Sequence, residues 1–512
     1  MRFLVLIVLS TVVDYYCALS IDRGRITGRQ RLSASVFLIS SAILFLGQPH
    51  RAIKFVFSGW PPTIVINWGH FFSAYSQYWW MLLGLLLATV FINTIYPFLI
   101  LLKAEHRRKF FLVFSIFSNL AILGAFKYYN FFADNFAILA QSLFGITPST
   151  QVLNVILPVG ISFYTFQTMS YTIDVYRRRA EASHSLLEVA AYVSFFPQLV
   201  AGPIERGRNL LPQFQKPRSM NLADLWEGLW LIVWGLYKKM VVADNMAKIV
   251  NGTFAPFDNL SSTVVVPEDG LRLLVAIYAF AFQIYCDFSG YSDIARGTAK
   301  LLGFNIMVNF KLPYFAQSPS DFWRRWHISL STWLRDYLYI PLGGNRCGAF
   351  KLYRNLMITM LLGGLWHGAA WTFVLWGGFH GIILILYRTL GPNSDEVRSR
   401  WWISVLHGVL TFHIVCFGWL IFRAQNLTTI GVFLQSIFLH PHWSPEAIEC
   451  LKNLVFYSWF LVLFQIVQAS GKTLNPMAHW PQFIRLNVWI LVTMSLLSLA
   501  SEGGQEFIYF AF

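Results

Sequence analysis

Two histidines in the second half of the chain have the chemistry of a general base. His367 lies in Gly-Leu-Trp-His-Gly, and His327 follows Trp326 in a segment rich in tryptophan and arginine. A neutral imidazole can take a proton from a hydroxyl group and later return it, because its pKa lies near physiological pH. His367 interrupts an apolar segment, where an ionisable side chain is costly and therefore suggests a function, and His327 lies between an aromatic and a basic helix face. The alternatives are structural: His367 could bond a carbonyl of a neighbouring helix, and His327 could be an interfacial residue beside the tryptophans.

The residues around His327 have the pattern of one amphipathic helix. Ser318 is a favourable N-cap, and Pro319 suits the first helical position. Apolar residues recur at helical spacing, and His327 lies on their face. This apolar face comprises Trp323, Trp326, Leu330, Trp333, Leu334 and Tyr337. The opposite face is polar, is expected to contact water or phosphate, and carries Arg324, Arg325, Ser331, Thr332, Arg335 and Asp336.

Two carboxylates and an arginine lie within or beside one apolar segment. Asp293 and Arg296 are three residues apart, so on a helix they can neutralise each other. Asp287 has no obvious local partner, which makes it a candidate for contacting a histidine or a substrate.

A second set of polar residues shares one helical face of residues 158–176. It either lines a polar passage or makes ordinary interhelical hydrogen bonds. It consists of Tyr164, Gln167, Tyr171 and Asp174.

The composition indicates a polytopic membrane protein. Of 512 residues, 56% are hydrophobic and only 12% are charged, against about 25% charged in soluble proteins. The net charge of +15 sits in short clusters between apolar segments, which favours cytoplasmic loops and lipid headgroup contacts over nucleic-acid binding. The five cysteines are scattered without a CxxC pair, which argues against a disulfide framework or a zinc site, and we expect no bound metal.

The distribution of basic residues predicts the membrane topology. Arginine and lysine cluster near residues 23–31, 103–109 and 206–218, whereas residues 251–269 contain none. By the positive-inside rule this alternation places both termini outside.

The first apolar segment is expected to be an uncleaved helix, since Asp14-Tyr-Tyr stands where small residues should precede a cleavage site. The segments around Pro158 and at 197–203 are expected to be broken or re-entrant. The aromatic-rich stretch 49–78 has no evident role.

Five short blocks occur in one order along the chain. They are Pro158-Val-Gly-Ile-Ser-Phe-Tyr-Thr-Phe-Gln167, Phe195-Phe-Pro-Gln-Leu-Val-Ala-Gly-Pro-Ile204, Gln283-Ile-Tyr-Cys-Asp-Phe-Ser-Gly-Tyr-Ser-Asp293, Phe322-Trp-Arg-Arg-Trp-His-Ile-Ser-Leu-Ser-Thr-Trp333 and Gly364-Leu-Trp-His-Gly368. Any one block would be a weak signal, but together they resemble the membrane-bound O-acyltransferase superfamily, and its bacterial alginate O-acetyltransferase branch in particular. The similarity extends from about Lys127 to Phe422.

The resemblance implies a fold and a set of site residues. The fold is all-α and polytopic, with about 11 transmembrane helices, further re-entrant or horizontal helices, and two funnels that meet at a thin core. We expect N-terminal helices at 1–126, a catalytic core at 127–424 and C-terminal helices at 425–512. The catalytic residues are expected to be His367, His327 and Tyr509, the last within a terminal Phe-Ile-Tyr-Phe-Ala-Phe segment that resembles the family's acyl-carrying hexapeptide. The expected donor- or substrate-binding residues are Arg324, Arg325, Trp326, Asp287 and Gln167.

The resemblance also implies a reaction. We expect acetyl transfer from a cytoplasmic thioester such as acetyl-CoA to an exopolysaccharide or cell-wall polysaccharide, with the thioester as co-substrate and no bound cofactor. The expected partners are a periplasmic acetyltransferase of hydrolase-like fold, a polysaccharide biosynthesis complex and membrane lipids, in an inner membrane. Two alternatives stay open: transfer of D-alanine or another acyl group from a carrier protein, or a lipid or solute transporter, although no internal repeat typical of transporters is visible.

Overall fold

The computed structural model describes residues 4–46, 53–56, 63–66, 76–146, 148, 157–258, 266–346, 348–391 and 401–508. Tyr509 and most of the 49–78 stretch lie outside the described residues. By packing, the chain divides into two compact units. The N-terminal unit comprises Met1–Val200 with Glu205–Pro217, and the C-terminal unit comprises Ala201–Ile204 with Arg218–Phe512. The sequence analysis instead divided the chain by function, into N-terminal helices, a catalytic core and C-terminal helices. Those boundaries at residues 126 and 424 stay predictions.

The N-terminal unit is built from nine helices and one short pair of strands within the described residues. The helices are α1 Leu4–Asp22, α2 Gly28–Leu46, α3 Ser76–Leu99, α4 Ala104–Leu123, α5 Tyr129–Phe144, α6 Ile161–Tyr176, α7 Leu186–Val193, α8 Phe196–Leu199 and α9 Gly207–Gln215. A π-helical turn at Gly124–Tyr128 joins α4 to α5. Strands β1 Ile53–Val56 and β2 Thr63–Ile66 are antiparallel, with Ile53 opposite Ile66. Within the described residues, the prediction of an all-α chain is therefore confirmed except for this strand pair.

Helix α6 is the buried centre of the N-terminal unit. Its residues from Ile161 to Val175 are all buried, and it packs against α1 and α4. It begins after Gly160, which adopts a left-handed φ of +76° as the N-cap, and the re-entrant segment expected around Pro158 stays a prediction because residues 151–156 lie outside the described residues. A Cβ at this glycine would lie 2.3 Å from the carbonyl oxygen of Leu199. Only glycine therefore allows the chain to turn and approach α8 at this point.

The C-terminal unit contains the remaining helices of the described chain. They are α10 Leu222–Leu236, α11 Asp244–Asp258, α12 Gly270–Leu301, α13 Pro319–Arg325, α14 Ile328–Leu334, α15 Ala349–His367, α16 Trp371–Leu390, α17 Trp401–Arg423, α18 Leu427–Leu439, α19 Pro445–Ser470 and α20 Gln482–Leu499. Two π-helical segments, Tyr237–Ala243 and Arg335–Tyr339, continue α10 and α14, and short 3₁₀ turns occur at Pro313–Phe315 and Pro476–His479.

The 32-residue helix α12 is the centre of this unit. It packs against α10, α11, α17, α18 and α19. Small residues allow the closest of these contacts: a Cβ on Gly235 would lie 2.6 Å from the carbonyl oxygen of Gly290, and one on Gly297 would lie 2.5 Å from that of Gly228. Small residues at a helix interface bring backbones together, which is the usual way helices associate where lipid removes the hydrophobic driving force.

Within the described residues, nine helical segments are long and apolar enough to cross a membrane. The longest joins α4 and α5 into one stretch, Ala104–Phe144. Many large apolar side chains on α3 are exposed, including Trp80, Phe91 and Phe98, as expected for a helix that faces lipid. The chain is therefore a multi-pass membrane protein, as predicted from its composition.

Candidate active site

The helix predicted around His327 is broken at His327 itself. Helix α13 ends at Arg325 and α14 begins at Ile328, and His327 between them has a left-handed φ of +42°. Ser318 caps α13 as predicted, since its Oγ accepts from the N–H of Asp321 at 3.0 Å. The expectation of one continuous amphipathic helix is therefore wrong. A left-handed conformation costs a non-glycine residue roughly 1–2 kcal/mol, so the surrounding structure must stabilise it.

Asn309 supplies that stabilisation. Its backbone oxygen accepts from the N–H of Ile328 at 2.9 Å, where a continuous helix would have used an intrahelical carbonyl. Its side-chain Oδ1 accepts from the backbone N–H of Ser329 at 3.2 Å and from the Ser329 hydroxyl at 2.9 Å. Asn309 is itself buried. The sequence analysis did not identify this residue, because it lies 18 positions before His327 and belongs to no recognisable motif.

The same asparagine contacts one nitrogen of the His327 ring. Nδ1 of His327 lies 3.2 Å from Oδ1 of Asn309 and 3.4 Å from the hydroxyl of Ser329. The backbone N–H of Ser329 can only donate, so the atom of Asn309 that it contacts must be the oxygen. A hydrogen bond from His327 to this oxygen requires the proton on Nδ1, and in that tautomer Nε2 carries the lone pair. Burial, and secondly the nearby His367, lower the pKa of His327 well below its ordinary value.

His367 is brought close to His327 by the end of α15. It is the last residue of that helix, and the extended Gly368 follows it. The centroids of the two imidazole rings lie 6.5 Å apart, with 64° between the ring planes. A Cβ on Gly364 would lie 2.1 Å from the carbonyl oxygen of Phe373, so α15 and α16 pack backbone against backbone beside the site. The two predicted histidines therefore form one site, 40 residues apart in the chain.

Aromatic rings enclose this histidine pair. The ring of His327 packs edge to face on Phe288, with ring centroids 4.6 Å apart. The ring centroid of His367 lies 5.2 Å from that of Trp376 and 5.4 Å from that of Phe422. Both histidines are buried. An environment of this kind has a low dielectric constant, which strengthens electrostatic interactions with any charge that develops there.

The residues predicted to bind the donor occupy different surroundings. Trp326 is buried and stacks on Phe322, with ring centroids 5.6 Å apart. Arg324 is exposed, whereas Nε of Arg325 is paired with Asp321 at 2.9 Å. Gln167 belongs to the N-terminal unit, where its side-chain amide donates to the carbonyl of Tyr192 at 2.8 Å. Their roles toward a donor stay predictions.

Asp287 anchors the end of the described chain. Its carboxylate is paired with Nζ of Lys239 at 2.9 Å and accepts from the backbone N–H of Ile508 at 2.6 Å. The predicted pair of Asp293 and Arg296 is present at 3.2 Å, and Asp293 is also paired with Lys238 at 2.6 Å. The π-helical segment Tyr237–Ala243 thus directs two adjacent lysines toward two carboxylates of α12. Sequence spacing could not show these pairs, because their members are about 50 residues apart.

Comparison with known proteins assigns the chain to a family. Residues 164–429 match the membrane-bound O-acyltransferase family. A probable alginate O-acetylase of Azotobacter vinelandii is 40% identical over 437 residues, covering 78% of this chain and 84% of the relative. A second, from Pseudomonas putida, is 45% identical over 419 residues, with 77% and 82% covered. A peptidoglycan O-acetyltransferase of Helicobacter pylori is 34% identical over 453 residues, with 79% and 83% covered. The matched range includes both histidines and Asn309, and the chain belongs to the membrane-bound O-acyltransferase family.

Proposed function

We propose that this protein moves an acetyl group from a cytoplasmic thioester, most simply acetyl-CoA, across the membrane for O-acetylation of an exopolysaccharide or cell-wall polysaccharide. The observation that carries the proposal is the buried pair of His327 and His367, whose ring centroids are 6.5 Å apart inside the family's matched range. The relatives named as alginate O-acetylases and as a peptidoglycan O-acetyltransferase support this substrate class.

In the proposed reaction His367 is the general base. It takes the proton from an incoming hydroxyl group, and the oxygen attacks the thioester carbonyl to form a tetrahedral intermediate. Collapse of this intermediate breaks the carbon–sulfur bond, and the His367 imidazolium gives its proton to the leaving thiolate, which restores the neutral base. The first acceptor is the hydroxyl of Tyr509, from which the acetyl ester passes to a periplasmic partner and then to the polysaccharide. The donor is already activated, so the histidine supplies the proton transfer that the step needs.

His327 could either position the thioester or stabilise the developing oxyanion. The contact with Asn309 supports the first. With the proton on Nδ1, Nε2 of the neutral ring has no hydrogen to donate to an oxyanion. A second proton on the ring would be needed, and burial disfavours that charge. His327 therefore acts as a neutral imidazole that orients the reactants beside His367.

The exposed Arg324 is proposed to attract the phosphates of the donor from the cytoplasmic side, because guanidinium groups bind phosphate strongly.

The proposed location is the inner membrane, with both termini in the periplasm. The basic segments near residues 23–31 and 103–109, which are expected on the cytoplasmic side, support this orientation. The proposed partners are a periplasmic acetyltransferase of hydrolase-like fold and a polysaccharide biosynthesis complex. Reporter fusions at the two termini test the orientation.

The central test compares three variants in cells that make the polysaccharide. We expect His367→Ala to reduce acetyl esters on the polysaccharide by at least about 100-fold, the usual contribution of a proton-transfer group. Tyr509→Phe removes the acceptor hydroxyl and should abolish acetylation, and His327→Ala should reduce it because the reactants are no longer oriented beside His367. The exposed His442→Ala is the matched control and should acetylate normally. Protein abundance in the membrane shows that each variant folds. Normal acetylation in the His367→Ala variant contradicts the proposal.

Mass spectrometry of the C-terminal peptide distinguishes acetyl transfer from D-alanyl transfer. An added acetyl group on Tyr509 supports the proposal, and an added D-alanyl group would replace it with the carrier-protein alternative. Solute or lipid transport that persists in a His327→Ala, His367→Ala double variant would instead favour a transporter.

A further inference from the structure

The N-terminal unit contains a cavity of about 270 Å³ between α1, α2, α3 and α4. Its walls are almost entirely aliphatic and aromatic side chains, and the part formed by α3 runs from Leu85 to Leu99. At 1.5 Å per residue this wall is about 21 Å long, more than the hydrocarbon depth of one leaflet, about 15 Å. Helix α3 is the least buried of the four helices around the cavity, since only 6% of its membrane-crossing segment Trp79–Leu99 is buried inside the protein. It is therefore the wall most exposed to lipid.

Three polar residues of the cavity wall lie close to an arginine outside the cavity, Arg31. They are Tyr16, Asn93 and Tyr96. Arg31 donates from Nη1 to the carbonyl of Asn93 at 3.1 Å, and its guanidinium carbon lies 5.3 Å from the ring centroid of Tyr96. The hydroxyl of Tyr16 donates to the carbonyl of Arg31 at 3.0 Å. Arg31 is therefore held beside an apolar cavity by residues that also line it.

A second arginine lies at the same end of α3. Arg107 packs over Gly24, where a Cβ would lie 2.6 Å from its Nη2, and its Nη1 reaches the carbonyl of Ile100 at 3.5 Å. The Nε atoms of Arg31 and Arg107 are both buried, and neither has a hydrogen-bond partner within the part of the chain that the structure describes. The neighbouring Arg108, by contrast, donates to the carbonyl of Tyr176 at 2.7 Å. Arg31 and Arg107 thus retain donor capacity for an anion.

We propose that this cavity binds an anionic glycerophospholipid, with one acyl chain between α1 and α3 and the phosphate held by Arg31 and Arg107. An apolar cavity of about 150 Å³ already stays dry and takes apolar guests, so a larger one beside lipid is filled by an acyl chain. Basic pockets between transmembrane helices bind anionic headgroups, and arginine forms charge-assisted pairs with phosphate. This site is independent of the acetyl transfer proposed above.

Native mass spectrometry of the full-length protein, with equal amounts of phosphatidylglycerol and phosphatidylcholine added in mild detergent, tests the site. We expect preferential retention of phosphatidylglycerol. The Arg31→Gln, Arg107→Gln double variant should lower that preference about 25-fold, since each basic residue near the headgroup contributes about fivefold. The matched control is Arg25→Gln, Arg29→Gln, which removes two exposed arginines, one just before α2 and one in its first turn, and should retain phosphatidylglycerol normally.

Two further measurements separate the acyl chain from the headgroup. Ala88→Trp places a large side chain from α3 into the cavity and should reduce lipid retention while both arginines remain. This variant also tests the proposal if the double arginine variant fails to fold. Free glycerol 3-phosphate should not displace the lipid. Equal retention of the two lipids, equal losses in the two double variants, or displacement by glycerol 3-phosphate would each overturn the proposal.

Discussion

The carboxylate of Asp287 accepts a hydrogen bond from the backbone N–H of Ile508 at 2.6 Å, across 221 positions of the chain. Lys239 strengthens this anchor, because it is paired with Asp287 and also donates to the carbonyl of Gln505 at 3.0 Å. The N–H of Ser501 donates to the carbonyl of Met240 at 3.1 Å. The segment that precedes Tyr509 is therefore held by α12 and by the π-helical turn beside it.

We expect Asp287→Ala to reduce polysaccharide acetylation by about tenfold or more, because a hydrogen bond to a charged group contributes about 1.5–3 kcal/mol. Asp287→Asn keeps an oxygen acceptor for the Ile508 N–H and should retain more activity than the alanine variant. Acetyl esters per milligram of polysaccharide, normalised to protein in the membrane, give the comparison. Asp224→Asn removes an ion pair with Lys300 that does not touch the tail and is the control. Equal activities of the two Asp287 variants would argue against a role of this hydrogen bond.

The contact between Asn309 and His327 predicts a change in pH dependence. In Asn309→Asp a carboxylate replaces the amide beside Nδ1 of His327, and this negative charge raises the pKa of the histidine. The neutral ring is then present only at higher pH. We therefore expect acetylation at pH 7 to fall and the acid limb of the pH–rate profile to move upward, with activity partly recovered in alkaline buffer. Acetyl transfer in inverted vesicles measured from pH 5.5 to 9 gives the profile.

Asn309→Ala is the companion variant. It removes the acceptor used by Ser329 and His327, so activity should fall at every pH without a shift of the acid limb. An Asn309→Asp profile that coincides with wild type would exclude control of His327 through this contact.

Two adjacent glycines of α15 should respond differently to alanine. A Cβ on Gly364 would lie 2.1 Å from the carbonyl oxygen of Phe373, whereas one on Gly363 would meet a methyl carbon of Leu334 at 3.2 Å. Overpacking against the backbone of Phe373 costs about 1–3 kcal/mol. The side chain of Leu334, by contrast, can move away from an added methyl group at little cost. We expect Gly364→Ala to lower the unfolding temperature in detergent and the activity, and Gly363→Ala to change both little. Equal unfolding temperatures for the two variants would contradict this packing.

The two arginines of α13 should contribute unequally to donor binding. Arg324 is exposed, whereas Arg325 is already paired with Asp321 at 2.9 Å. We expect Arg324→Gln to raise the KM for acetyl-CoA about fivefold at low salt, with a smaller effect at high salt because ions screen exposed charges. Arg325→Gln should raise the KM less. Initial rates at 20 mM and 300 mM salt test this, and a KM that is unchanged in Arg324→Gln would remove Arg324 from the donor site.

The sequence by itself determined the features that depend on composition and on near neighbours. Low charge content and long apolar segments indicate a multi-pass membrane protein, whatever the helices pack against. The N-cap at Ser318 and the ion pair of Asp293 with Arg296 follow from residues three positions apart. His367 was identified because an ionisable group in an apolar segment is costly, and His327 because it lies between an aromatic and a basic helix face.

Only the tertiary structure decided how these features meet. Helical periodicity predicted a continuous helix through His327, but Asn309 provides hydrogen bonds that compensate the left-handed turn, and no local pattern encodes a partner 18 residues away. Asp287 lacked a local partner and found Lys239 and Ile508 through packing. The apolar cavity between α1, α2, α3 and α4 likewise arises from helices whose contacts no single segment specifies. Local propensity reflects a few neighbouring residues, whereas such sites depend on contacts between residues far apart in the chain.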